Sequence, residues 1–295
     1  MKRRMLVLVC LLALAPQAWA QQSPAGEGKD NIAGPYVPTP WEIVHEMLKL
    51  ADVGKDDLLY DLGSGDGRLV ITAAKRHGAR GMGVELQPQL VEAAIAGAEK
   101  EGVGDRVKFV AADLFETQLG GASVVTLYLL PRFVTRLVPK LRAELAPGAR
   151  IVSHDYPLAP WTPDKTLSFE VAEKEAISGS TRTTLYYYVV PARVAGTWTL
   201  AIPRTLSSTP VVLRITQAPD ALDGTAEIGG ESLSMRDIVV RADAIRFWLF
   251  HRGRFMQFQG RVSANEMSGE VRAQKVVERW TGRLSAAPRQ EPAVR

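Results

Sequence analysis

Tyr60-Asp61-Leu62-Gly63-Ser64-Gly65-Asp66-Gly67-Arg68 decides the fold of this chain. It ends the apolar run Leu58–Leu62, which reads as a buried strand, and opens the helical pattern Leu69–His77, closed by Gly78. Three glycines at alternate positions let the backbone turn sharply and let a ligand approach it closely. Their spacing separates the classes of nucleotide loop. A dinucleotide fingerprint asks for glycine three residues beyond Gly65, where Arg68 stands. A P-loop asks for Gly-Lys-Ser/Thr, which this turn lacks.

The alternation of strand and helix continues on both sides. Gly81–Leu86, Val107–Ala111, Val124–Leu130 and Ile151–His154 read as strands. Gln89–Lys100 and Phe133–Leu145 read as helices, the second ended by Pro147-Gly148. Phe169–Ala176 and Thr183–Val190 read as a closing antiparallel hairpin. Upstream, Thr39 and Glu42 fit a capping box with Pro40 at the first helical position, ahead of a helix whose apolar face carries Ile43, Val44, Met47, Leu48 and Ala51. The pattern predicts an α/β fold: a parallel sheet covered by helices on both faces, with its ligand crevice at the carboxyl ends of the strands.

With no pyrophosphate to cradle, the loop that remains is the Asp-x-Gly-x-Gly-x-Gly turn of S-adenosylmethionine binders, placing Asp61, Gly63, Ser64, Gly65 and Gly67 against that ligand. Glu85 ends the second strand, where a carboxylate can accept both ribose hydroxyls. Asp113 ends the third strand, placed for the adenine amino group, with Leu114 or Phe115 packed on the ring. Asp61 is expected beneath the loop, near the methionine end. Taken singly, Glu85 and Asp113 would each serve equally well as surface carboxylates.

These residues resemble the class I SAM-dependent methyltransferases. The match is closer to the protein-lysine methyltransferases of the mitochondrial ATP synthase c-subunit and adenine nucleotide translocase, with their prokaryotic relatives. It runs from about Pro35 to Trp161 and rests on Pro35-Tyr36-Val37-Pro38-Thr39-Pro40, the glycine loop, Gly83-Val84-Glu85-Leu86, Asp113-Leu114-Phe115 and Pro139-Lys140-Leu141. The resemblance implies a Rossmann-like seven-stranded methyltransferase sheet, S-adenosyl-L-methionine as cofactor, a protein lysine as acceptor, and Tyr36 closing over the cofactor. The chain departs from those enzymes in its amino terminus and in everything after Ala195.

Methyl transfer from a sulfonium needs alignment more than acid–base power. The acceptor should face Tyr128-Leu129-Leu130-Pro131. Tyr128 orients an acceptor there or is an ordinary strand aromatic. The segment is not Asn/Asp-Pro-Pro-Tyr, which argues against adenine-N6 methylation. In Ser153-His154-Asp155-Tyr156, His154 could deprotonate an acceptor with Asp155 orienting it, or be a hydrogen-bonded structural residue. His45 and His77 read as structural or solvated.

After Ala195 short strands recur every eight to twelve residues: Thr197–Ile202, Val211–Thr216, Thr225–Ile228, Ile238–Val240, Ile245–His251, Phe255–Phe258 and Trp280–Leu284. They predict a C-terminal antiparallel all-β domain over 196–285, a sandwich or small barrel of seven or eight strands, then a tail over 286–295. Trp198, Trp248, Trp280, Phe247, Phe250, Phe255 and Phe258 populate it, as core filling or as the lining of an apolar ligand site.

The amino terminus revises the composition. The 295 residues carry a formal charge of +4, from 36 basic and 32 acidic side chains. Lys2, Arg3 and Arg4 precede an apolar run and the triplet Ala18-Trp19-Ala20, the pattern of a signal peptide over 1–20, with a flexible leader over 21–34. Cleavage after Ala20 removes those three cations and leaves +1, so a nucleic-acid partner loses its electrostatic support. It also removes Cys10, the only cysteine, and with it any thiol or cysteine-metal chemistry. The chain then reads as an exported (periplasmic or secreted) methyltransferase over 35–195, without a stable membrane span, acting on a protein or small-molecule acceptor. A small-molecule O- or N-methyltransferase, and a non-catalytic SAM-binding scaffold, stand as alternatives.

Overall fold

A computed structural model describes residues 36–286; the stretches read as signal peptide and leader, with Pro35, and the tail beyond Ala286 lie outside the described residues. Trp41–Leu50 forms α1 and buries Ile43, Val44, Met47 and Leu48. Pro40 rather than Thr39 precedes it, and no side chain caps it. The expected capping box fails because Thr39 is itself buried against the cleft wall, its carbonyl accepting a hydrogen bond from Arg68 Nη1 at 2.7 Å.

The alternating region builds β1 (Leu58–Leu62), α2 (Arg68–His77), β2 (Arg80–Glu85), α3 (Pro88–Lys100), β3 (Val107–Ala111), β4 (Val124–Leu127), α4 (Pro131–Glu144) and β5 (Arg150–His154). It closes with β6 (Lys165–Glu170), α5 (Ala172–Ser178) and β7 (Arg182–Val189). The strands form one sheet in the order β3-β2-β1-β4-β5-β7-β6. β1 lies parallel to both β2 and β4, so strand order reverses at β1, where open α/β sheets bind ligands. β7 runs antiparallel between β5 and β6. The expected hairpin is present, but its first strand stops at Glu170 and 172–178 turn into α5, which is capped by Gly179 in the left-handed conformation (φ 71°).

Period-two alternation assigns the sheet's two faces. Val124 and Val152 face the core made with α1, α2 and α3, whereas Val125, Leu127 and Ile151 face the core made with α4. All four residues of β4 are buried, as a strand covered on both sides requires.

The second sheet has nine strands: β8 (Gly196–Ala201), β9 (Val211–Gln217), β10 (Leu222–Ile228), β11 (Glu231–Ser234), β12 (Arg236–Arg241), β13 (Ala244–His251), β14 (Arg254–Ser263), β15 (Glu266–Ala273) and β16 (Val276–Ala286). Pairing runs β11-β10-β9-β8-β16-β15-β14-β13-β12, all antiparallel. The two edges, β11 and β12, are joined through Met235 alone, whose N–H donates to Gly224 of β10 at 3.0 Å. The sheet is therefore curled into a nearly closed barrel. Two more strands are present than the seven quoted above, because β11 and β15 carry Glu, Ser, Gly and Arg in place of an apolar run.

Side chains fill the barrel. Phe247 and Phe258 stack with centroids 4.7 Å apart, and Trp280 meets both rings edge-on. Phe250 and Phe255 lie instead on the outer surface, because alternation along β13 and β14 turns them away from the core. Trp280 sits over the facing pair Gly260 and Gly269; a Cβ on Gly260 would collide with the Ser268 carbonyl and lie 2.8 Å from Trp280 Cζ2. Gly260→Val should therefore cost about 1–3 kcal/mol of stability by overpacking, read as a lower midpoint in urea unfolding of the full chain.

Candidate active site

A cleft of about 230 Å³ opens at the carboxyl ends of β1, β2 and β4. Its floor is the turn between β1 and α2, where Gly63, Gly65 and Gly67 all adopt left-handed angles (φ 87°, 52° and 77°). The N–H groups of Gly63 and Ser64 both donate to the Val84 carbonyl, at 2.8 and 3.0 Å, tying the turn to β2. Each glycine also stands where a side chain has no room. A Cβ on Gly63 would lie 2.7 Å from Leu129, one on Gly65 2.5 Å from the Tyr36 ring, and one on Gly67 2.6 Å from Phe109. Tyr36 thus lies directly on the loop.

Three carboxylates occupy this small space, each stabilised differently. Glu85 accepts from the N–H of Gly65 at 3.0 Å through one oxygen, and from Leu86 and Gln87 at 2.8 and 3.0 Å through the other. For Asp66, burial acts to raise the pKa, but the Arg68 guanidinium, at 2.6 and 2.9 Å, outweighs it and holds the carboxyl below the usual range. Arg68 reaches from there to the Thr39 carbonyl and lies over the Trp41 ring, so it straps the 36–41 segment to the loop. Among the described residues the Asp61 carboxylate accepts only from the Thr126 hydroxyl, at 2.7 Å. Burial, with Glu85 and Asp66 nearby, pushes Asp61 up to about 7. Beside it, Ser64 Oγ is buried without a hydrogen-bond partner among the described residues.

Tyr128 follows β4 and forms the opposite wall with Leu130, Tyr156, Ile177 and Ser178. Its ring stacks on His154 at 3.9 Å, and burial, aided by Asp155, pushes its hydroxyl up to about 12. His154 lies behind Tyr128, wholly buried, with Nε2 sharing a hydrogen bond with Thr183 Oγ1 at 2.8 Å. Burial drives its pKa down, against the attraction of Asp155, and keeps the ring neutral. Asp155 ion-pairs with Lys174 of α5 at 2.6 Å and accepts from the Thr184 N–H at 3.1 Å. His154 and Asp155 therefore back the wall rather than border the cleft. Of the two readings left open for this pair, the contacts with Lys174 and Thr183 match the hydrogen-bonded structural one.

Residues 61–165 match the family model described as the ANTKMT methyltransferase domain. A protein-lysine N-methyltransferase of Saccharolobus islandicus is 41% identical over 157 residues, covering 53% of this chain and 93% of the relative. The chain belongs to the ANTKMT methyltransferase family. The adenine nucleotide translocase lysine N-methyltransferase of Mus musculus is 40% identical over 130 residues, covering 44% of this chain and 56% of that relative, less than two thirds of its length. Among solved structures, an RNA methyltransferase from Salinibacter ruber in complex with S-adenosyl-L-homocysteine is 47% identical over 54% of this chain and 96% of its own, with a TM-score of 0.49.

In this ANTKMT-family methyltransferase, Tyr36, Asp61, Gly63, Ser64, Gly65, Glu85 and Tyr128 meet around one cleft. Gly67 sits one turn back, at the start of α2. Asp113 and Leu114 lie outside the cleft wall: β3 stops at Ala111, and Asp113 Oδ1 accepts from the Phe115 N–H at 2.8 Å in a local turn, while Leu114 packs on the α4 core. Asp66, Arg68 and Lys174 were not picked out from the sequence. The first two stand in the loop itself, but the Arg68 contact that matters spans 29 positions. Lys174 carried no signal, in a segment that reads as strand. Among the described residues no cluster of three or more His, Cys, Asp or Glu could hold a metal ion, and no helix is long and apolar enough to cross a membrane.

The ion pair Lys174–Asp155 has side chains only 5% and 19% exposed. Lys174→Met strands the Asp155 carboxylate and should cost about 2–3 kcal/mol, the upper values for buried pairs being reduced by the water Asp155 retains. Adding Asp155→Asn should return part of that loss in a double-mutant cycle of urea unfolding.

Proposed function

We propose that the cleft holds S-adenosylmethionine and directs its methyl group to the ε-amine of a protein lysine. The observation that carries this reading is the glycine turn, side-chain-free beneath Tyr36 and flanked by the buried carboxylates of Asp61 and Glu85 at the point where strand order reverses. S-adenosylmethionine bound there would supply an electrophilic methyl group on a cationic sulfur, the leaving group for a neutral amine. Glu85, fixed by three backbone N–H groups, presents the remaining acceptor site of Oε2 for a ribose hydroxyl. Asp61, short of hydrogen bonds, has the charge and position to hold a cationic amino group, and the unpartnered Ser64 hydroxyl adds a further polar contact. Tyr36 covers the loop.

The acceptor half rests on the wall made by Tyr128, Tyr156, Leu130 and Ile177. Aromatic and aliphatic surface suits the alkyl stem of lysine, and tyrosine faces attract its ammonium before it loses a proton. The proton leaves to water, since the neutral His154 is walled off behind Tyr128. The names of the Saccharolobus and mouse relatives support the same acceptor. The charged, apolar and small-residue run of 1–20 supports export, so the acceptor would belong to the cell envelope.

Calorimetry with S-adenosylmethionine tests the first half. Affinity should rise as pH passes upward through about 7, because Asp61 loses its proton and becomes the anion that a cation needs. Asp61→Asn should flatten that dependence. Gly65→Val places a side chain against Tyr36 at a φ of 52° and should weaken binding by about tenfold or more. No heat of binding in the wild type would overturn the assignment. Labelled methyl transfer to envelope extracts, followed by amino-acid analysis, should yield methyl-lysine. Label confined to RNA or to small molecules would remove the lysine acceptor and leave the cofactor reading standing. Amino-terminal sequencing of the exported fraction should begin at Gln21.

A further inference from the structure

Away from the methyl cleft, a second cavity of about 440 Å³ opens where the 217–222 turn and β12 of the barrel face α4, the 161–164 segment and the end of β7. Small-molecule sites are typically about 300–1,000 Å³ and favour junctions of this kind. Leu222, Ile238 and Val240 make an apolar wall, and the buried Trp161 ring makes an aromatic one.

The unusual group in the cavity is Arg142, in the last turn of α4. Its guanidinium carbon lies 5.1 Å from the Trp161 centroid, as in a cation–π stack. Burial lowers its pKa, with no neighbouring charge acting the other way. A guanidinium offers five N–H donors. Arg142 places one, on the Pro219 carbonyl at 3.4 Å, and it makes no ion pair among the described residues. The acids nearby do not serve it. Asp164 accepts from the Val189 N–H at 2.8 Å and lies 3.5 Å from Arg241, while Asp220 borders the cavity without pairing to either arginine. A permanent charge part-withdrawn from water and left without a counter-ion is costly. Its free donors form the planar fork that matches an oxyanion.

We propose that this junction cavity binds a small organic anion, a carboxylate or phosphate on an apolar body, with the oxyanion on the Arg142 fork and the body against Trp161, Leu222 and Ile238. The role is independent of the methyl-transfer reading, since Arg142 does not border the methyl cleft. Two probes distinguish the anion's chemistry: phenyl phosphate and phenylacetate, with benzylamine as the cationic control. In ¹H–¹⁵N spectra of the full chain, at least one anionic probe should shift the Trp161 indole and Arg142 Nε–H signals saturably, and benzylamine should not.

Arg142→Gln should weaken that binding by about tenfold, the loss of one charge-assisted oxyanion contact. Arg142→Lys retains the charge without the planar fork and should weaken it less, which keeps the test sound if the glutamine variant folds poorly. S-adenosyl-L-homocysteine affinity should be unchanged in both variants. The proposal is overturned if neither anion shifts these signals at millimolar concentration, or if the folded lysine and glutamine variants bind as tightly as the wild type. It is equally overturned if saturating S-adenosyl-L-homocysteine abolishes probe binding, which would assign the probe to the methyl cleft.

Discussion

Five residues separate the end of β1 from the start of α2, and in that span a strand buried on both faces must become a helix lying on the sheet. The geometry needs left-handed backbone at three alternate positions, which only glycine adopts at little cost. Once made, the turn fixes its surroundings. Two of its N–H groups are taken by the Val84 carbonyl and one by Glu85, so the β1–β2 register and the Glu85 carboxylate are set by the same bonds. Arg68, the first residue of α2, then draws the 36–41 segment across the loop, and the missing Cβ of Gly65 is the seat of the Tyr36 ring. Floor, rim and cover of the cleft follow from one backbone constraint.

Electrostatics gives that geometry a direction. Of the three carboxylates, Glu85 is satisfied by backbone donors and Asp66 by Arg68, leaving Asp61 with a single hydroxyl and a pKa pushed up to about 7. A buried acid held near neutrality is a group short of positive charge. A cationic ligand relieves it, whereas an anionic nucleotide phosphate would add to the repulsion. The chemistry of the loop and the protonation of Asp61 therefore favour the same class of ligand.

What the sequence made legible had short range. The glycine turn, the strand periodicity, the α1 face and the Gly78 stop each involve residues within a few positions of one another, so spacing alone reports them. Tertiary burial overrode local chemistry at Thr39, where a good cap residue was drawn into the cleft wall. Phe169–Ala176 reads as a hairpin strand, but from Ala172 the chain is helical and Lys174 is buried by Asp155, a partner outside its own segment. In the barrel, β15 escaped because its inward positions are spaced by Glu, Ser and Arg, with Gly269 leaving room for its neighbour rather than ending a strand. Asp113 shows the converse: at a plausible distance from the loop, it spends one carboxylate oxygen on the Phe115 N–H of its own turn and lies outside the cleft wall.

The barrel adds a second hydrophobic core to the family sheet, and of the two readings of its aromatics core filling holds for the buried ones. Trp198, Phe247, Phe258 and Trp280 fill the interior, and polar contacts tie the barrel to its junction with the family sheet. There the Gln217 side chain accepts from the Val194 N–H at 2.8 Å and donates to the Ala192 carbonyl at 3.0 Å, while the Ala192 N–H donates to Ala242 at 2.6 Å. Both sides of the linker's backbone are thus satisfied by the barrel, and Arg193 reaches back to the carbonyls at the end of α4. A tethered domain free to rotate would leave those groups to water. Because α4 starts directly after Leu130, on the methyl cleft, and ends beside Arg142, the two cavities lie at opposite ends of one helix whose middle is packed into the core.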